Sequence, residues 1–282
     1  MTLQTLIDAP ALAELIRRDE VLVVDCRFAL ADPAAGARVY AQSHIPGAVH
    51  ADLDRDLSDL TKAGLGRHSL PEATAFSAVL ARWGWTPQTR VIAYDAANGA
   101  LAAARLWWML RLVGAREVAV LDGGWPAWQA AGLSVEAETR SRTPSRVAVE
   151  FDATQIIYTD EMLAQQQSIL LLDARAAPRY RGEVEPIDPI AGHVPGARNR
   201  PFSDNLDATG NFKSAQALRT EFDALLGARP ASDVVHMCGS GVTACHNLLA
   251  MEHAGLRGSR VYAPSWSGYI SDSHRPVAIG AS

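Results

Sequence analysis

The feature that most constrains this chain of 282 residues is an internal repeat. Three short motifs occur in the first half and return, in the same order, in the second half. The pairs are VLVVDCR at 21–27 with ILLLDAR at 169–175, HIPGA at 44–48 with HVPGA at 193–197, and VIAYD at 91–95 with VVHMC at 234–238. Ordered matches of this kind indicate a duplicated domain. We therefore predict one domain over 1–140, a polar, proline-bearing linker over 141–150, and a second domain over 151–282.

Each predicted domain alternates short apolar runs with amphipathic stretches. Continuous apolar runs are typical of strands that are buried on both faces. Strands are predicted at 21–25, 91–94, 118–121, 169–173, 234–237 and 260–262. Helices are predicted at 9–18, 71–83, 101–113, 159–166, 214–226 and 244–254, with Pro71 in a first helical turn. The alternation predicts an α/β fold in each half, with a mainly parallel sheet covered by helices on both faces.

Composition and charge exclude several classes of protein. Hydrophobic residues make up 48% of the chain and charged residues 20%, which is typical of a globular protein. The apolar runs are far shorter than the ~20 residues of a membrane span, and the first ten residues lack the basic start of a signal peptide. A net charge of −5 without a basic cluster disfavours nucleic acid as a partner. Three cysteines without zinc-like spacing predict neither a disulfide framework nor a metal site, so we expect a reducing, cytoplasmic compartment.

One cysteine lies in a loop suited to chemistry. Cys238 ends a predicted strand and is followed by Gly-Ser-Gly-Val-Thr at 239–243, directly before a helix. Glycines allow such a loop to turn several backbone N–H groups inward, and this nest favours negative charge. A thiolate at its entrance is a reactive nucleophile, whereas an isolated cysteine is more often inert. We expect Cys238 to be the reactive cysteine, and Cys26 and Cys245 to be packing residues.

Three reactions of a thiolate in such a loop can be compared. A cysteine phosphatase needs an arginine six residues after the nucleophile, and that position is Ala244. A cysteine protease needs a histidine base, and His246 and His253 are expected to be exposed and to point away from the loop. Transfer of a sulfane sulfur needs only the thiolate and a cradle for the persulfide anion, so it is the favoured reaction.

Several motifs resemble those of the tandem rhodanese family. The two His-x-Pro-Gly-Ala motifs resemble the first rhodanese signature, and LDGGWPAW at 121–128 resembles the segment that follows the fourth strand of a rhodanese module. The loop CGSGVT at 238–243 resembles the active loop of the 3-mercaptopyruvate sulfurtransferases within that family. The resemblance spans the whole chain and implies two rhodanese-like domains. It implies a catalytic C-terminal domain and an inactive N-terminal one, which has Asp95 in place of the cysteine.

The resemblance also implies roles for individual residues. It makes Cys238 the nucleophile, Arg179 the residue that binds the anionic substrate, and Asp54 and His68 residues that assist the reaction at the domain interface. It makes the cradle from Gly239, Ser240, Gly241, Val242 and Thr243, with Ser240 near the reacting sulfur. His44 and His193 are expected to be structural, and Trp107 and Trp108 to pack in the core or between the domains.

The chain departs from the family pattern at two places that concern the donor. Branches specific for thiosulfate have basic residues where this chain has Gly239 and Ser240, which favours 3-mercaptopyruvate. Against this, the mercaptopyruvate branch has a second arginine about nine residues after the first, where this chain has Asp188; Arg181 could compensate. Gly268 also replaces the glutamate usual in the second rhodanese signature, which we expect to affect packing.

The resulting expectation is a sulfurtransferase that works in two steps through a persulfide on Cys238. The donor would be 3-mercaptopyruvate, and the acceptor cyanide, a thiol or thioredoxin. No metal or organic cofactor, nucleic acid or membrane is implied. The alternatives are a thiosulfate:cyanide sulfurtransferase and a non-enzymatic carrier of persulfide.

Overall fold

The fold contains two parallel β-sheets of five strands each. The computed structural model describes residues 5–139 and 141–281. The chain divides into two compact units, the first up to Asp59 with Leu70–Asp152 and the second of Leu60–Ser69 with the residues from Ala153 onward. The segment Leu60–Ser69 thus packs with the second unit, although it lies in the predicted first domain. The predicted boundaries at 140 and 151 stay a prediction.

The first unit has a sheet in the order β1-β5-β4-β2-β3, and every pair of neighbouring strands is parallel. Its strands are β1 (Leu6–Ile7), β2 (Leu22–Asp25), β3 (Val49–His50), β4 (Val91–Tyr94) and β5 (Val118–Leu121). Its helices are α1 (Ala9–Arg17), α2 (Ala35–Gln42), α3 (Leu53–Asp56), α4 (Ala73–Arg82), α5 (Ala103–Leu112) and α6 (Gly124–Ala130). Trp107 and Trp108 of α5 are buried, as predicted.

The second unit repeats this topology with the parallel order β6-β10-β9-β7-β8. Its strands are β6 (Ile156–Ile157), β7 (Leu170–Asp173), β8 (Arg198–Asn199), β9 (Val234–Met237) and β10 (Arg260–Tyr262). Its helices are α7 (Thr159–Ala164), α8 (Ala177–Tyr180), α9 (Ala215–Leu226), α10 (Ala244–His253) and α11 (Ser265–Tyr269). All residues of β2, β4, β5, β7 and β9 are buried, so both faces of each sheet are covered. The predicted α/β fold is confirmed.

The repeated Asp-x-Arg motif fastens a turn to the end of a central strand. In the first unit, Arg27 Nη2 lies 2.6 Å from Asp25 Oδ2 and donates to the Ser43 carbonyl at 2.6 Å. In the second, Arg175 Nη2 lies 2.7 Å from Asp173 Oδ2 and donates to the Gly192 carbonyl at 2.7 Å. The carbonyl belongs in each case to the residue before the His-x-Pro-Gly motif, so an ion pair that is buried in both units places that turn.

The histidines of the two turns are buried and serve the fold. Nδ1 of His44 lies 2.7 Å from the Tyr40 carbonyl oxygen, and Nδ1 of His193 lies 2.8 Å from that of Tyr180. Each imidazole also stacks on the ring of the same tyrosine, with centroids 4.0 Å and 3.8 Å apart. The predicted structural role of both histidines is confirmed.

Pro71 precedes α4, which begins at Ala73 after Glu72, so its predicted place in the first helical turn is wrong. Within residues 5–139 and 141–281, no helix is both long and apolar enough to cross a membrane.

Candidate active site

Cys238 follows β9 at the carboxyl end of the second sheet, where ligands of parallel sheets usually bind. Its side chain is buried, and the backbone N–H of Gly241 donates to its Sγ at 3.2 Å. Gly241 has a φ of +79°, a conformation that glycine adopts without strain, and this turns the N–H back toward the sulfur. The loop therefore directs a hydrogen-bond donor at the thiol, as the Gly-Ser-Gly sequence predicts.

Helix α11 also fastens the cysteine loop. The N–H groups of Trp266 and Ser267 in α11 donate to the carbonyls of Cys238 and Gly239, at 3.0 Å and 2.8 Å. The Oγ of Ser265 accepts from the N–H of Cys238 at 3.1 Å. Because these contacts hold both backbone groups of Cys238, the loop is organised before any substrate arrives.

The corresponding loop of the first unit contains a carboxylate, that of Asp95, where the second unit has its cysteine. Asp95 follows β4 as Cys238 follows β9, and its buried carboxylate accepts hydrogen bonds from backbone N–H groups at 2.8–3.1 Å. The donors belong to Ala97, Gly99, Leu101, Ala102 and Ala103. The N–H of Trp125 donates to the Asp95 carbonyl at 2.8 Å, as Trp266 does to Cys238. In this repeat the loop after the central strand surrounds a negative charge.

A histidine from the segment Leu60–Ser69 reaches the cysteine loop. Nδ1 of His68 lies 2.8 Å from the hydroxyl of Ser240, and both side chains are buried. The structure thus brings together two residues that the sequence singled out. Asp54 lies in the first unit, in the short helix α3, where burial raises the pKa of its carboxyl group.

Four charged side chains form a cluster beside the loop. Arg179 in α8 pairs with Glu185 at 2.6 Å and with Asp188 at 3.3 Å, and Arg67 pairs with Asp188 at 2.6 Å. Both carboxylates are buried, and hydrogen bonds from Arg179 lower the pKa of Glu185 although burial alone raises it. A methyl group at the Cα of Gly239 would lie 3.5 Å from Arg67 Nη2 and 3.6 Å from Arg179 Nη2. Two guanidinium groups therefore adjoin the residue after Cys238.

The family model described as a rhodanese-like domain matches residues 8–131 and again residues 158–272. The chain belongs to the rhodanese family.

Relatives of this rhodanese are named as sulfurtransferases. "Probable 3-mercaptopyruvate sulfurtransferase" of Pseudomonas aeruginosa is 48% identical over 99% of this chain and 100% of its own. SseB of Mycobacterium tuberculosis, provisionally named a thiosulfate sulfurtransferase, is 40% identical over 98% of each chain. The structure of 3-mercaptopyruvate sulfurtransferase from Leishmania major has a TM-score of 0.85 and 33% identity, covering 97% of this chain and 75% of that one.

Arg67 is the charged residue at the rhodanese loop that sequence reasoning missed. The expected substitute for a second arginine was Arg181, but its guanidinium pairs with Glu183, and both side chains are partly exposed. The adjacent His68 was the available signal, because a residue next to a predicted site residue can share its surroundings. The guanidinium groups of Arg67 and Arg179 supply positive charge beside Gly239, although positions 239 and 240 themselves carry no basic residue.

The expected exposure of His246 is wrong. Its side chain is fully buried and stacks on Phe212, with ring centroids 4.5 Å apart, while Nδ2 of Asn205 lies 3.1 Å from its Nδ1. The reason is that α10 is surrounded by protein, with every residue from Ala244 to Met251 buried. His253, in the last turn of that helix, is partly buried.

The other two cysteines are packed and lie in different surroundings from Cys238. The thiol of Cys245 lies 3.3 Å from the Gly241 carbonyl, behind the loop. Burial, with the nearby carboxylate of Asp95, raises the pKa of Cys26 well above its usual value. Neither setting favours a thiolate, in agreement with the predicted packing roles.

Proposed function

We propose that this rhodanese is a sulfurtransferase that moves sulfur from 3-mercaptopyruvate to a thiophilic acceptor through a persulfide on Cys238. The observation that carries the proposal is the hydrogen bond from the Gly241 N–H to Cys238 Sγ, at 3.2 Å, in a loop whose counterpart surrounds the Asp95 carboxylate. A cradle of this type stabilises a thiolate before the reaction and a persulfide anion after it.

In the first step the Cys238 thiolate attacks the sulfur of 3-mercaptopyruvate. A sulfur–sulfur bond forms, the carbon–sulfur bond breaks, and its electron pair leaves on the enolate of pyruvate. The proton of the donor thiol ends on the methyl carbon of pyruvate, so the products are pyruvate and the Cys238 persulfide anion. We assign the transfer of that proton to the Ser240 hydroxyl, which lies 2.8 Å from Nδ1 of His68.

In the second step the acceptor attacks the outer sulfur of the persulfide. The sulfur–sulfur bond breaks and its electron pair returns to Cys238, which regenerates the thiolate. With cyanide the product is thiocyanate, and with a thiol or thioredoxin it is a new persulfide. Both steps use only protein side chains and backbone, so the proposal includes no metal or organic cofactor.

The proposed roles of the site residues follow their positions. Cys238 is the nucleophile, and the cradle consists of Gly239, Ser240, Gly241, Val242 and Thr243. Arg179 binds the donor's anionic group, and Asp54 and His68 assist the reaction. We also propose a cytoplasmic location, small anionic donors, and neither nucleic acid nor membrane as a partner. Within residues 5–139 and 141–281 no cysteine forms a disulfide, which is compatible with that compartment.

Thiosulfate is the second candidate donor, and Arg67 is the observation that favours it. Two guanidinium groups beside Gly239 would attract a dianion, and SseB of M. tuberculosis carries the corresponding name. However, Asp188 and Glu185 balance the charge of Arg67 and Arg179. A cluster with no net charge favours the single carboxylate of 3-mercaptopyruvate, and the P. aeruginosa relative is named for that donor.

The test compares initial rates with 3-mercaptopyruvate and with thiosulfate, using cyanide as the common acceptor. We expect many turnovers, and a higher kcat/KM for 3-mercaptopyruvate than for thiosulfate. A higher kcat/KM for thiosulfate would reassign the donor, and a single loading of sulfur without turnover would identify a carrier.

A further inference from the structure

We propose that Gly268 of α11 is a positioning residue for sulfur transfer. Because it has no side chain, the segment Leu60–Ser69 packs directly against α11, and this contact places His68 beside Ser240. The inference deepens the proposed function and rests on it, since it concerns the proton that Ser240 transfers in the first step. Gly268 thus acts on the reaction through His68.

The backbone of Gly268 does not itself require glycine. The residue lies in α11, which runs from Ser265 to Tyr269, and its φ is not positive. Within a helix, glycine is the least favourable residue after proline. Helix propensity alone would therefore favour alanine at position 268, so the reason for the glycine lies in what surrounds it.

The space around Gly268 is too small for a side chain. A methyl group on its Cα would lie 2.5 Å from Cβ of Pro264, 3.0 Å from the backbone nitrogen of Gly66 and 3.3 Å from the carbonyl carbon of Leu65. Nonbonded carbon atoms normally lie about 3.5–4.0 Å apart. Even alanine would therefore push the segment Leu60–Ser69 away from α11, and the glutamate usual at this position in the second rhodanese signature would push it further.

The contact is equally close from the side of the segment. A methyl group on Gly66 would lie 2.4 Å from the carbonyl oxygen of Pro264, which precedes α11. Gly66 also has a φ of +92°, a conformation that glycine adopts without strain. The protein thus has a glycine on each side of this contact, and His68 follows two residues after the first of them.

Helix α11 contacts both the segment that contains His68 and the loop that contains Ser240. The hydroxyl of Ser267, the residue before the glycine, accepts from the N–H of Arg67 at 2.9 Å. The N–H of Ser267 donates to the Gly239 carbonyl at 2.8 Å. Nδ1 of His68 lies 2.8 Å from Ser240 Oγ, and a shift of about 1 Å would take this distance beyond the ~3.2 Å of a good hydrogen bond.

The first experiment compares Gly268→Ala with the control Gly36→Ala. Gly36 lies in α2 of the first unit, its φ is likewise not positive, and a methyl group there would lie 2.1 Å from the Arg27 carbonyl oxygen. Both variants should therefore have a lower melting temperature. Only Gly268→Ala should lower kcat with 3-mercaptopyruvate, by about 10- to 100-fold with the donor KM little changed, because a misplacement of about 1 Å can cost that much.

A second measurement separates the two steps of the reaction. Transfer of sulfur from a preloaded persulfide on Cys238 to cyanide requires no proton on pyruvate, so Gly268→Ala should perform it at the wild-type rate. Loading of Cys238 by 3-mercaptopyruvate, followed by rapid mixing, should be slower than in the wild type. A general loss of structure would instead slow both steps.

A double variant tests whether Gly268 acts through His68. In the background of His68→Ala, we expect Gly268→Ala to change kcat by less than about twofold, because the interaction that it disturbs is already absent. If the glycine served only the stability of the fold, the losses of the two single variants would multiply.

Ser267→Ala disturbs the same contact without adding an atom, and so it applies even if Gly268→Ala fails to fold. The variant removes the acceptor of the Arg67 N–H. We expect its kcat to fall about two- to tenfold, with the same restriction to the loading step and the same absence of effect in the His68→Ala background.

The outcomes distinguish this inference from the proposed function. Wild-type kcat in Ser267→Ala or in a folded Gly268→Ala, equal slowing of both steps, or multiplied losses in the double variant overturn the role of Gly268 and leave the sulfurtransferase intact. Wild-type kcat in His68→Ala overturns that role as well. A wild type that turns over neither 3-mercaptopyruvate nor thiosulfate overturns the proposed function, and this inference with it.

Discussion

At the scale of single residues, the three cysteines differ in what surrounds each sulfur. All three are buried, so burial does not select the nucleophile. Cys238 Sγ accepts a hydrogen bond from an N–H group of its own loop. In contrast, the thiol of Cys245 is directed at the Gly241 carbonyl, and that of Cys26 lies near carboxylates. A hydrogen-bond donor stabilises a thiolate, and a carbonyl or carboxylate opposes it.

We therefore expect Cys238→Ser to abolish sulfur transfer, because a serine hydroxyl does not form a persulfide. Cys245→Ser and Cys26→Ser should keep most of the activity and serve as matched controls. Mass spectrometry after donor treatment should place one added sulfur atom on the peptide that contains Cys238. Sulfur found on Cys26 or Cys245 instead would contradict the assignment.

For Arg179→Ala we expect a loss of roughly 10- to 150-fold in kcat/KM with 3-mercaptopyruvate. A hydrogen bond to a charged group contributes about 1.5–3 kcal/mol, which corresponds to that range. Glu185 is buried and loses its shortest ion pair in this variant, so the melting temperature should fall as well. Arg179→Lys keeps the charge and should recover activity in part; unchanged kinetics in Arg179→Ala would place the anion elsewhere.

At the scale of elements, every strand and helix that the sequence predicts has its ends within two residues of the predicted ones. Their signal is strong because a buried strand is continuously apolar and a long helix has a regular period. The edge strands β1, β3, β6 and β8 have two residues each, too few for any period to register. Five helices of four to eight residues, α2, α3, α6, α8 and α11, were not predicted either.

The site divides in a similar way between local and distant residues. The cysteine loop is predictable because Gly239, Ser240 and Gly241 are neighbours of Cys238 in sequence, and their chemistry requires no knowledge of the fold. Arg67 was not predictable, because its segment has no period and the packing of Leu60–Ser69 with the second unit arises only from tertiary structure.

The strand β9, which directly precedes the nucleophile, contains a histidine that should make stability depend on pH. His236 is fully buried, and burial, with a smaller effect from Arg200, lowers its pKa from 6.5 to about 3. Below about pH 6.5 this histidine binds a proton in the unfolded chain but not in the folded protein, so acid favours unfolding. Between pH 7 and pH 4 this histidine should remove about 3 kcal/mol from the free energy of unfolding.

Urea denaturation at several pH values measures that loss. His236→Gln removes the titrating group, so its stability should fall less between pH 7 and pH 4 than that of the wild type. Equal pH dependence in the wild type and His236→Gln would contradict this account.

At the scale of the whole molecule, one duplicated module holds a nucleophile and the other holds Asp95. We expect Asp95→Asn to lower the free energy of unfolding by about 1.5–3 kcal/mol, because the amide offers one acceptor oxygen and no charge to the N–H groups that surround the carboxylate. Asp32→Asn, at an exposed ion pair with Arg38, is the control and should leave the free energy of unfolding almost unchanged. Denaturant titration of both variants tests this, and equal effects would contradict it.

The carboxylate of Asp95 has one more consequence, for how the protein responds to ligands. Since this anion is part of the chain, the first cradle is saturated at every ligand concentration. A donor or product anion that binds beside Cys238 stabilises only the second unit, by about 2.7 kcal/mol when its concentration is a hundredfold above its Kd. In thermal melts at increasing ligand concentration, a single melting transition should therefore separate into two. The transition whose melting temperature stays constant belongs to the first unit, which carries its own anion.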